Sequence, residues 1–206
     1  SGQMGVARRS GIQKVQRVEA LWKGAQPKVA IAIAAAEQST LVLTSALPGL
    51  THVNSAYSWG HGNHVPIRTQ FESQSRGTGS LSASTRSVVN QVAIACAKYH
   101  NAAITSVGQV YTWGLHAESL GRNSAKGPSK QRNTTSGRAT SSPQLVTGML
   151  PENGGGFAVA VSASKQHTAV VTDTGALYTW GTSHGKDVMG HEGVRWQPSP
   201  KRVPGV

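Results

Sequence analysis

Cysteine, acidic residues and long apolar runs are all scarce in this chain of 206 residues. The single cysteine, Cys96, excludes a disulfide bond within the chain and favours an intracellular protein. No apolar run approaches the roughly 20 residues that a membrane-spanning helix needs, so we expect no membrane partner. The eight Asp and Glu residues are scattered, and none form a pair placed for acid–base catalysis. These absences predict a non-enzymatic protein of the cytoplasm or nucleus.

Motifs for cofactors and metals are also weak. Residues 181–187 resemble a phosphate-binding loop, but three residues separate the glycines instead of four. Asp187 stands where such a loop needs Ser or Thr to bind magnesium. The histidine pairs in the loops lack cysteine or acidic partners at ligand spacing. We therefore expect no cofactor and no metal ion.

Positive charge is abundant and unevenly distributed, with a formal net charge of +12. Residues 1–30 carry six basic residues against one acidic residue, a net charge of +5. A second tract, residues 121–142, has no acidic residue and a composition of Ser, Thr and Gly that predicts disorder. It is a candidate for weak contact with nucleic acid, and the alternative is a solvated loop without a ligand. Its basic residues are Arg122, Lys126, Lys130, Arg132 and Arg138.

The chain does contain a threefold internal repeat. Residues 32–45, 93–106 and 160–173 align without a gap. Such self-similarity indicates one supersecondary unit stacked against copies of itself, and it favours function on surfaces over a buried catalytic pocket. Each block leads to a Tyr-x-Trp-Gly step, which contains Trp59 and Gly60, Trp113 and Gly114, or Trp180 and Gly181.

Each repeat has the pattern of four short strands. The first strands, at 30–36, 92–97 and 158–163, are rich in Ala, Val and Ile, which suits strands packed closely on both faces. Hairpin turns at Gly108 and Gly175 precede the third strands. Units of this kind predict an all-β fold built of β-propeller blades. The other predicted strands are 39–45, 100–106 and 167–172 (second), 110–113 and 177–180 (third), and 143–146 and 200–203 (fourth, each opened by proline).

The repeats set the domain boundaries. We expect a weakly structured basic segment at 1–28, with at most a short amphipathic helix over 12–22. The sequence stops just after a motif that should lead into another repeat, so a fragment of a longer protein is expected. The repeats occupy about 29–91, 92–156 and 157–206, and the second is interrupted by the tract at 121–142.

These repeats resemble those of the regulator of chromosome condensation family. The family pattern runs from a small-residue strand through His-Thr, a turn glycine and Val-Tyr-x-Trp-Gly to Leu-Gly and Pro-x-x-Val. The third repeat matches it from His167 to Val203, and the second from His100 to Val146. The first repeat is degenerate, because Ser39 replaces the histidine. A narrower similarity is to the branch that includes inhibitor of Bruton's tyrosine kinase, and it lies in the phrases Ala-Cys-Ala-Lys-Tyr-His at 95–100 and Ser-Ala-Ser-Lys-Gln-His at 162–167.

The resemblance implies a seven-bladed propeller that acts as a protein-interaction scaffold. Three repeats would then form an incomplete ring or a fragment of the propeller. One alternative is guanine-nucleotide exchange on a small GTPase, which the founding member of the family performs on Ran. Another is association with chromatin or nucleic acid. The implied partner is a protein, such as a small GTPase or a kinase. No exchange residue carries over, because those residues lie in loops outside the repeat motif.

The repeated residues are predicted to be structural. His100 and His167 are expected to tie their own blades to backbone groups, and Trp59, Trp113 and Trp180 to anchor the blade cores. Gly60, Gly114 and Gly181 would let the chain turn where a side chain clashes. Trp196 breaks the repeat pattern in a polar loop, which makes it an interface candidate.

Overall fold

A computed structural model describes Val18, Leu21 and residues 28–45, 54–60, 63–71, 91–122, 140–183 and 187–206. The described residues form three antiparallel sheets, each of four strands that follow chain order across the sheet. The prediction of an all-β fold of propeller blades is confirmed. In this part of the chain, no helix is long and apolar enough to cross a membrane.

We call the three sheets blades 1, 2 and 3. Blade 1 contains β1 (Val29–Ala35), β2 (Ser39–Ser45), β3 (Ser55–Gly60) and β4 (Asn63–Thr69). Blade 2 contains β5 (Gln91–Cys96), β6 (His100–Thr105), β7 (Val110–Gly114) and β8 (Thr140–Leu145). Blade 3 contains β9 (Ala158–Ala163), β10 (His167–Thr172), β11 (Leu177–Thr182) and β12 (Trp196–Arg202). Short 3-10 helices at Ala117–Leu120, Thr147–Met149 and Pro151–Asn153 follow β7 and β8.

The second strand of each blade is the packed strand, and the first strand is an edge strand. β2 is buried from Ser39 to Thr44, whereas β1 leaves Ile31 and Ile33 exposed. The prediction that the first strands pack closely on both faces is therefore wrong for β1 and β9. It holds for β5, which packs Ala93 against the cluster between blades 2 and 3 and Ile94 and Cys96 against the cluster between blades 1 and 2. A strand flanked on both sides inside a blade is screened by its neighbours, and β1, β5 and β9 have a neighbour on one side only.

The fourth strands begin earlier than predicted. β8 starts at Thr140 and β12 at Trp196, so Pro143, Pro198 and Pro200 lie inside edge strands instead of opening them. Proline is tolerated there because the outer side of an edge strand needs no ladder hydrogen bond. β4, which the sequence did not predict, carries Pro66 in the same way.

Two of the predicted segments fall mostly outside the described residues. The basic segment at 1–28 is described only at Val18, Leu21 and Lys28, and the helix expected over 12–22 lies outside apart from the first two. The tract at 121–142 is described only at its ends, where β8 takes in residues 140–142. The disorder predicted for the rest of that tract stays a prediction.

The apolar core lies between blades. Blades 2 and 3 meet in a cluster that contains Trp180 and is completed by residues from both sheets and from the connection between them. Blades 1 and 2 meet in a smaller cluster around Trp113. Burying the apolar faces of neighbouring sheets against each other is what stabilises such repeats, since one blade has no second layer of its own. The buried members are Ile104, Val110, Val146, Met149, Ala158, Val170 and Trp180 in the first cluster and Leu41, Ala56, Ala103 and Trp113 in the second.

Candidate functional site

A buried polar network crosses the seam between blades 2 and 3. His100 begins β6, and its Nε2 lies 2.8 Å from the Thr168 Oγ1 on β10. The Thr168 hydroxyl donates to the carbonyl oxygen of Ser119 at 3.0 Å. The Trp180 indole Nε1 donates to the same carbonyl at 2.9 Å. One carbonyl of blade 2 therefore holds two side chains of blade 3.

The shared carbonyl determines that the Nε2 of His100 carries a proton. The Thr168 hydroxyl has a single proton, and the Ser119 carbonyl can only accept, so that proton is directed to Ser119. The hydroxyl oxygen must then accept from His100, which requires a proton on Nε2. Burial lowers the pKa of His100 to about 3, with smaller contributions from His116 and His167. The imidazole is thus a neutral donor between blades at physiological pH.

The turn after β7 is shaped to receive the indole of the next blade. Gly121 has a φ of +67°, and a Cβ there would lie 2.7 Å from the Trp180 Nε1. The Thr112 hydroxyl donates to the Leu120 carbonyl at 2.6 Å, which holds the turn against β7. The Leu-Gly step of the second repeat is therefore the contact surface for the tryptophan of the third.

The seam between blades 1 and 2 uses different contacts at corresponding positions. Ser39 occupies the histidine position, and its Oγ lies 3.2 Å from the Cys96 Sγ. Phe71 meets the rings of Tyr111 and Trp113 edge-on, with centroid distances of 5.5 and 5.6 Å. Aromatic packing thus covers the Trp113 ring where a Leu-Gly turn covers Trp180.

Cys96 is a weak nucleophile in this seam. Desolvation by burial raises the pKa of its thiol, and the hydrogen bond with Ser39 opposes this only in part. A thiol whose pKa is raised carries little thiolate, which is the reactive form.

The three Trp-Gly steps share a backbone conformation that requires glycine. Gly60, Gly114 and Gly181 have φ values of +110°, +143° and +124°. At each, a Cβ would overlap the carbonyl oxygen at the end of the turn before the second strand of the same blade. Any larger residue would therefore meet both an unfavourable φ and a backbone clash.

The two hairpin glycines have different surroundings. Gly108 and Gly175 have φ values of +71° and +81°. A Cβ on Gly175 would meet no atom, whereas one on Gly108 would lie 2.6 Å from the Phe157 ring. The Gly108 carbonyl also accepts from the Ala158 N–H at 3.1 Å. The hairpin of blade 2 is therefore packed against the start of blade 3.

The repeated histidines and tryptophans are not equivalent in the folded chain. His167 Nδ1 lies 2.6 Å from the Ser164 Oγ of its own blade, and burial lowers its pKa. The side chain of His100 instead bonds to the next blade, unlike the expected bond to its own backbone. The difference follows from topology, because His100 faces blade 3 across the seam. Trp59, Trp113 and Trp180 are all buried.

One rim of the blades brings charged, aromatic and apolar side chains together. We call it the Trp-Gly rim, and its described residues are 36–38, 97–99, 115–122, 164–166 and 187–195. Lys98 pairs with Glu37 across the seam between blades 1 and 2 at 2.7 Å. Tyr99 stacks on His116 with centroids 6.1 Å apart. Next to them Leu115 is 65% exposed, so the rim presents apolar and charged groups side by side.

The predicted interface residues divide into three groups. Trp196 is the first residue of β12 and is half-buried, so it does not lie in a polar loop as expected. Arg122 is held against blade 2, where it contacts the Gln144 side chain and the Thr112 carbonyl, and burial lowers its pKa. Lys126, Lys130, Arg132 and Arg138 lie outside the described residues. Among the described residues, no cluster of three His, Cys, Asp or Glu could hold a metal ion.

Sequence reasoning missed the residues that complete the seams. Thr168 follows the repeat histidine directly, and its place in the His-Thr pair was the available signal. Ser119 acts through its backbone carbonyl, which no side-chain pattern can reveal. Phe71 is one of two phenylalanines in the chain and follows β4, so its position after a strand was its only signal.

Comparison with known proteins finds similarity to proteins that contain RCC1 repeats. The family model described as regulator of chromosome condensation (RCC1) repeat matches residues 158–184, which include the whole of β9, β10 and β11. The chain is similar to the mouse (Mus musculus) secretion-regulating guanine nucleotide exchange factor, with 36% identity over 113 residues, 54% of this chain and 22% of that protein. It is 26% identical to human (Homo sapiens) RCC1 domain-containing protein 1 over 185 residues, which cover 75% and 46% of the two chains.

The narrower resemblance also has a counterpart among these relatives. The chain is 28% identical to mouse inhibitor of Bruton tyrosine kinase over 131 residues, 64% of this chain and 9% of that protein. The solved structure of Prp20p from Saccharomyces cerevisiae superposes with a TM-score of 0.59 at 18% identity, covering 84% of this chain and 38% of Prp20p. The chain spans less than half the length of each of these proteins.

Proposed function

We propose that this chain of RCC1-like propeller blades is a protein-interaction module that catalyses no chemical reaction of its own. The observation that carries this proposal is the use of its repeated polar groups. His100, Thr168 and Trp180 hold blades together, in a seam with a neutral, deeply buried imidazole. The side chains that take no part in the seams, and that a partner could contact, lie on the surface, as expected for a scaffold.

The Trp-Gly rim is the surface we assign to the partner. Leu115 is exposed beside the stacked Tyr99 and His116, and the Lys98–Glu37 pair lies next to them. Aromatic, charged and apolar side chains side by side make up the mixed kind of surface that protein contacts use. The basic tract also leaves and re-enters blade 2 at this rim, since it connects Arg122 to β8. A protein with an acidic surface is the partner that this charge favours.

Two matched variants test which rim is used. Leu115 and Val107 lie at opposite ends of β7 and are 65% and 62% exposed. Leu115→Asp should lose partners that the unmodified chain captures from a cell extract, and Val107→Asp should keep them. Thermal melting of both variants should match the unmodified chain. Equal loss in both variants, or loss in neither, would contradict the assignment of the rim.

Guanine-nucleotide exchange is the second candidate function. The observation in its favour is the similarity to a relative named as a secretion-regulating guanine nucleotide exchange factor. Exchange needs no acid–base residues of its own if a propeller face distorts the GTPase and expels the nucleotide. The same rim is proposed for this contact, so the two candidates differ only in what binding does to the nucleotide.

A nucleotide-release assay separates the two candidates. Small GTPases loaded with fluorescent GDP are mixed with the chain, and the release rate is measured with and without Leu115→Asp. A release rate that the chain accelerates, and that Leu115→Asp returns to the basal value, would establish exchange and overturn the pure scaffold. Binding by size-exclusion chromatography without acceleration would favour the scaffold.

We further propose that this module works in the cytoplasm or nucleus. The lone cysteine is hydrogen-bonded as a free thiol beside Ser39, which suits a reducing compartment. A chromatin contact is the third alternative, and it is supported by the likeness to Prp20p, a protein described as binding Gsp1p and histones. The basic tract would supply such a contact here.

A further inference from the structure

The turn that follows β7 has one end at the surface and the other end in the seam between blades 2 and 3. We call residues 115–121 the rim turn, and it contains the 3-10 helix Ala117–Leu120. Leu115 at its start is 65% exposed, whereas Ser119 and Leu120 near its end are buried. The Trp-Gly rim, which we assign to a partner, and the seam therefore share one short stretch of backbone.

His116 connects the rim turn to the surface of blade 2. Its ring stacks on Tyr99 with an interplanar angle of 25°. The Lys98 Nζ lies 5.5 Å from the centroid of the same tyrosine ring. The Leu115 N–H donates to the Tyr99 carbonyl at 2.7 Å. The position of the imidazole is therefore fixed by groups that a protein bound at the rim would contact.

Ser119 is attached both to His116 and to blade 3. Its N–H donates to the His116 carbonyl at 3.0 Å, and its Oγ lies 2.9 Å from the His116 Nδ1. Its own carbonyl accepts from the Thr168 hydroxyl and the Trp180 indole. Hydrogen bonds weaken steeply when their geometry is distorted. A movement of His116 that carries Ser119 with it therefore weakens both bonds to blade 3.

The hydroxyl of Ser119 is not needed to build a turn of this kind. Blade 3 has a valine at the corresponding position, since Val188 precedes Met189 as Ser119 precedes Leu120. The Met189 carbonyl still accepts from a threonine hydroxyl of β11, as the Leu120 carbonyl accepts from one of β7. The hydroxyl of Ser119 instead makes the link to His116, which a valine could not make.

We propose that the rim turn couples the Trp-Gly rim to the seam between blades 2 and 3 through the hydrogen bond between His116 and Ser119. A protein that binds the rim and fixes His116 also fixes the Ser119 carbonyl, and the seam becomes tighter. By reciprocity, a weakened seam lowers the affinity of the rim for that protein. This consequence rests on the proposed function of the rim, whereas the coupling within the chain can be measured without a partner.

A double-mutant cycle tests the coupling in the chain alone. Its single variants are His116→Ala at the rim and Trp180→Phe, which keeps an aromatic ring and loses the hydrogen bond to Ser119. The equilibrium constant for unfolding is measured by urea denaturation. In the double variant it should differ from the product of the two single effects by at least about threefold, as expected within one hydrogen-bond network. Additivity within about twofold would overturn the proposal.

Two matched cycles show whether the coupling depends on the Ser119 hydroxyl. In a Ser119→Ala background, which keeps the carbonyl, the effects of His116→Ala and Trp180→Phe should become additive. Glu37→Gln combined with Trp180→Phe should also be additive, because Glu37 lies on the rim but not on the rim turn. Coupling that persists in Ser119→Ala would overturn the assigned route. Equal coupling from Glu37 would show that the rim turn has no special role.

Hydrogen exchange measures the same coupling without global unfolding. The indole N–H of Trp180 should exchange at least about threefold faster in His116→Ala than in the unmodified chain, while the amides of β2 stay unchanged. Equal acceleration in β2 would indicate a general loss of stability and would contradict the coupling.

A binding measurement separates a failure of the coupling from a failure of the proposed function. For a protein whose binding Leu115→Asp abolishes, Trp180→Phe should raise the Kd by at least about threefold. Tyr178→Phe, on the same strand as Trp180, should leave that Kd unchanged. An unchanged Kd in Trp180→Phe would overturn the effect on the partner. If Leu115→Asp abolishes no binding, the assignment of the rim fails, and the cycle still decides the coupling.

Discussion

The two seams of this molecule both hold neighbouring blades together, but they do so with different kinds of contact. Between blades 2 and 3, one backbone carbonyl at Ser119 accepts from Thr168 and Trp180, and His100 completes the network. Between blades 1 and 2, Phe71 packs edge-on against two rings instead. A degenerate repeat can therefore keep its place in a stack when an aromatic side chain replaces a polar turn. We expect the relative position of blades 1 and 2 to be less strictly fixed than that of blades 2 and 3. Hydrogen bonds specify one arrangement, whereas apolar contacts tolerate several.

The largest effect is expected from removing the tryptophan of the polar seam. Trp180→Ala should lower the free energy of unfolding by about 4 kcal/mol, because it leaves a cavity in the main core cluster. Trp180→Phe should cost about 1 kcal/mol for the lost hydrogen bond to Ser119, plus the smaller volume. Urea denaturation followed by circular dichroism measures both.

A control on the same strand separates the seam from the strand itself. Tyr178→Phe removes an exposed hydrogen bond to the Gly154 carbonyl and should change stability by less than about 0.5 kcal/mol. If Trp180→Phe were as destabilising as Trp180→Ala, the hydrogen bond rather than packing would dominate this seam.

The histidine position offers the sharpest contrast between the two seams. His100→Ala should cost about 3 kcal/mol, because it opens a cavity and leaves the Thr168 hydroxyl without its donor. Ser39→Ala at the corresponding position should cost less than about 1 kcal/mol, since it removes one weak contact to a thiol. Similar losses for the two variants would mean that the seams do not differ in polar stabilisation.

The aromatic seam should respond to Phe71. Phe71→Ala is expected to cost about 2 kcal/mol, less than a fully buried phenylalanine, because the side chain is half-buried. Hydrogen exchange should accelerate in β2 and β5 and stay unchanged in β10. Faster exchange in β10 would show that the two seams are coupled and not independent.

The pH dependence of stability should differ between the unmodified chain and a His100 variant, because the other titrating groups are common to both. Burial holds the pKa of His100 near 3, against 6.5 for an ordinary histidine. Between those values the unfolded chain binds a proton that the folded chain does not bind, so stability falls as pH falls below about 6.5. In His100→Gln this contribution disappears. The two stability curves should run parallel above about pH 7.5 and converge in acid, and curves that stay parallel to pH 4 would contradict the assignment.

The smallest effect on either seam should come from the basic tract. Deleting residues 123–139 should leave stability within about 0.5 kcal/mol of the unmodified chain. If the tract contacts duplex DNA, four of its five cations are available, because Arg122 is held by Gln144 and Thr112. The slope of log K against log salt should then be about −3.6, taking 0.9 per phosphate. An affinity and slope unaffected by the deletion would make the tract a linker.

Local properties of the sequence determined the repeat and most of its strands. Strand and turn positions follow from residue type and spacing, so the predicted second strand over 39–45 coincides with β2. The Trp-Gly steps were also visible, because a glycine that must adopt a positive φ is identifiable at one position. Proline misled the prediction for the fourth strand, since its tolerance depends on being at a sheet edge, which only the assembled sheet defines.

The partners of those residues were decided by the tertiary structure. The bond of His100 to Thr168 joins residues 68 apart in the chain, and the indole of Trp180 reaches a backbone carbonyl 61 residues away. Phe71 became the cover of Trp113 only when blades 1 and 2 were placed side by side. The sequence shows which side chains each blade contains. The angle and distance between the blades determine which of those side chains meet across a seam. For that reason the repeat could be read from the sequence, but the two kinds of seam could not.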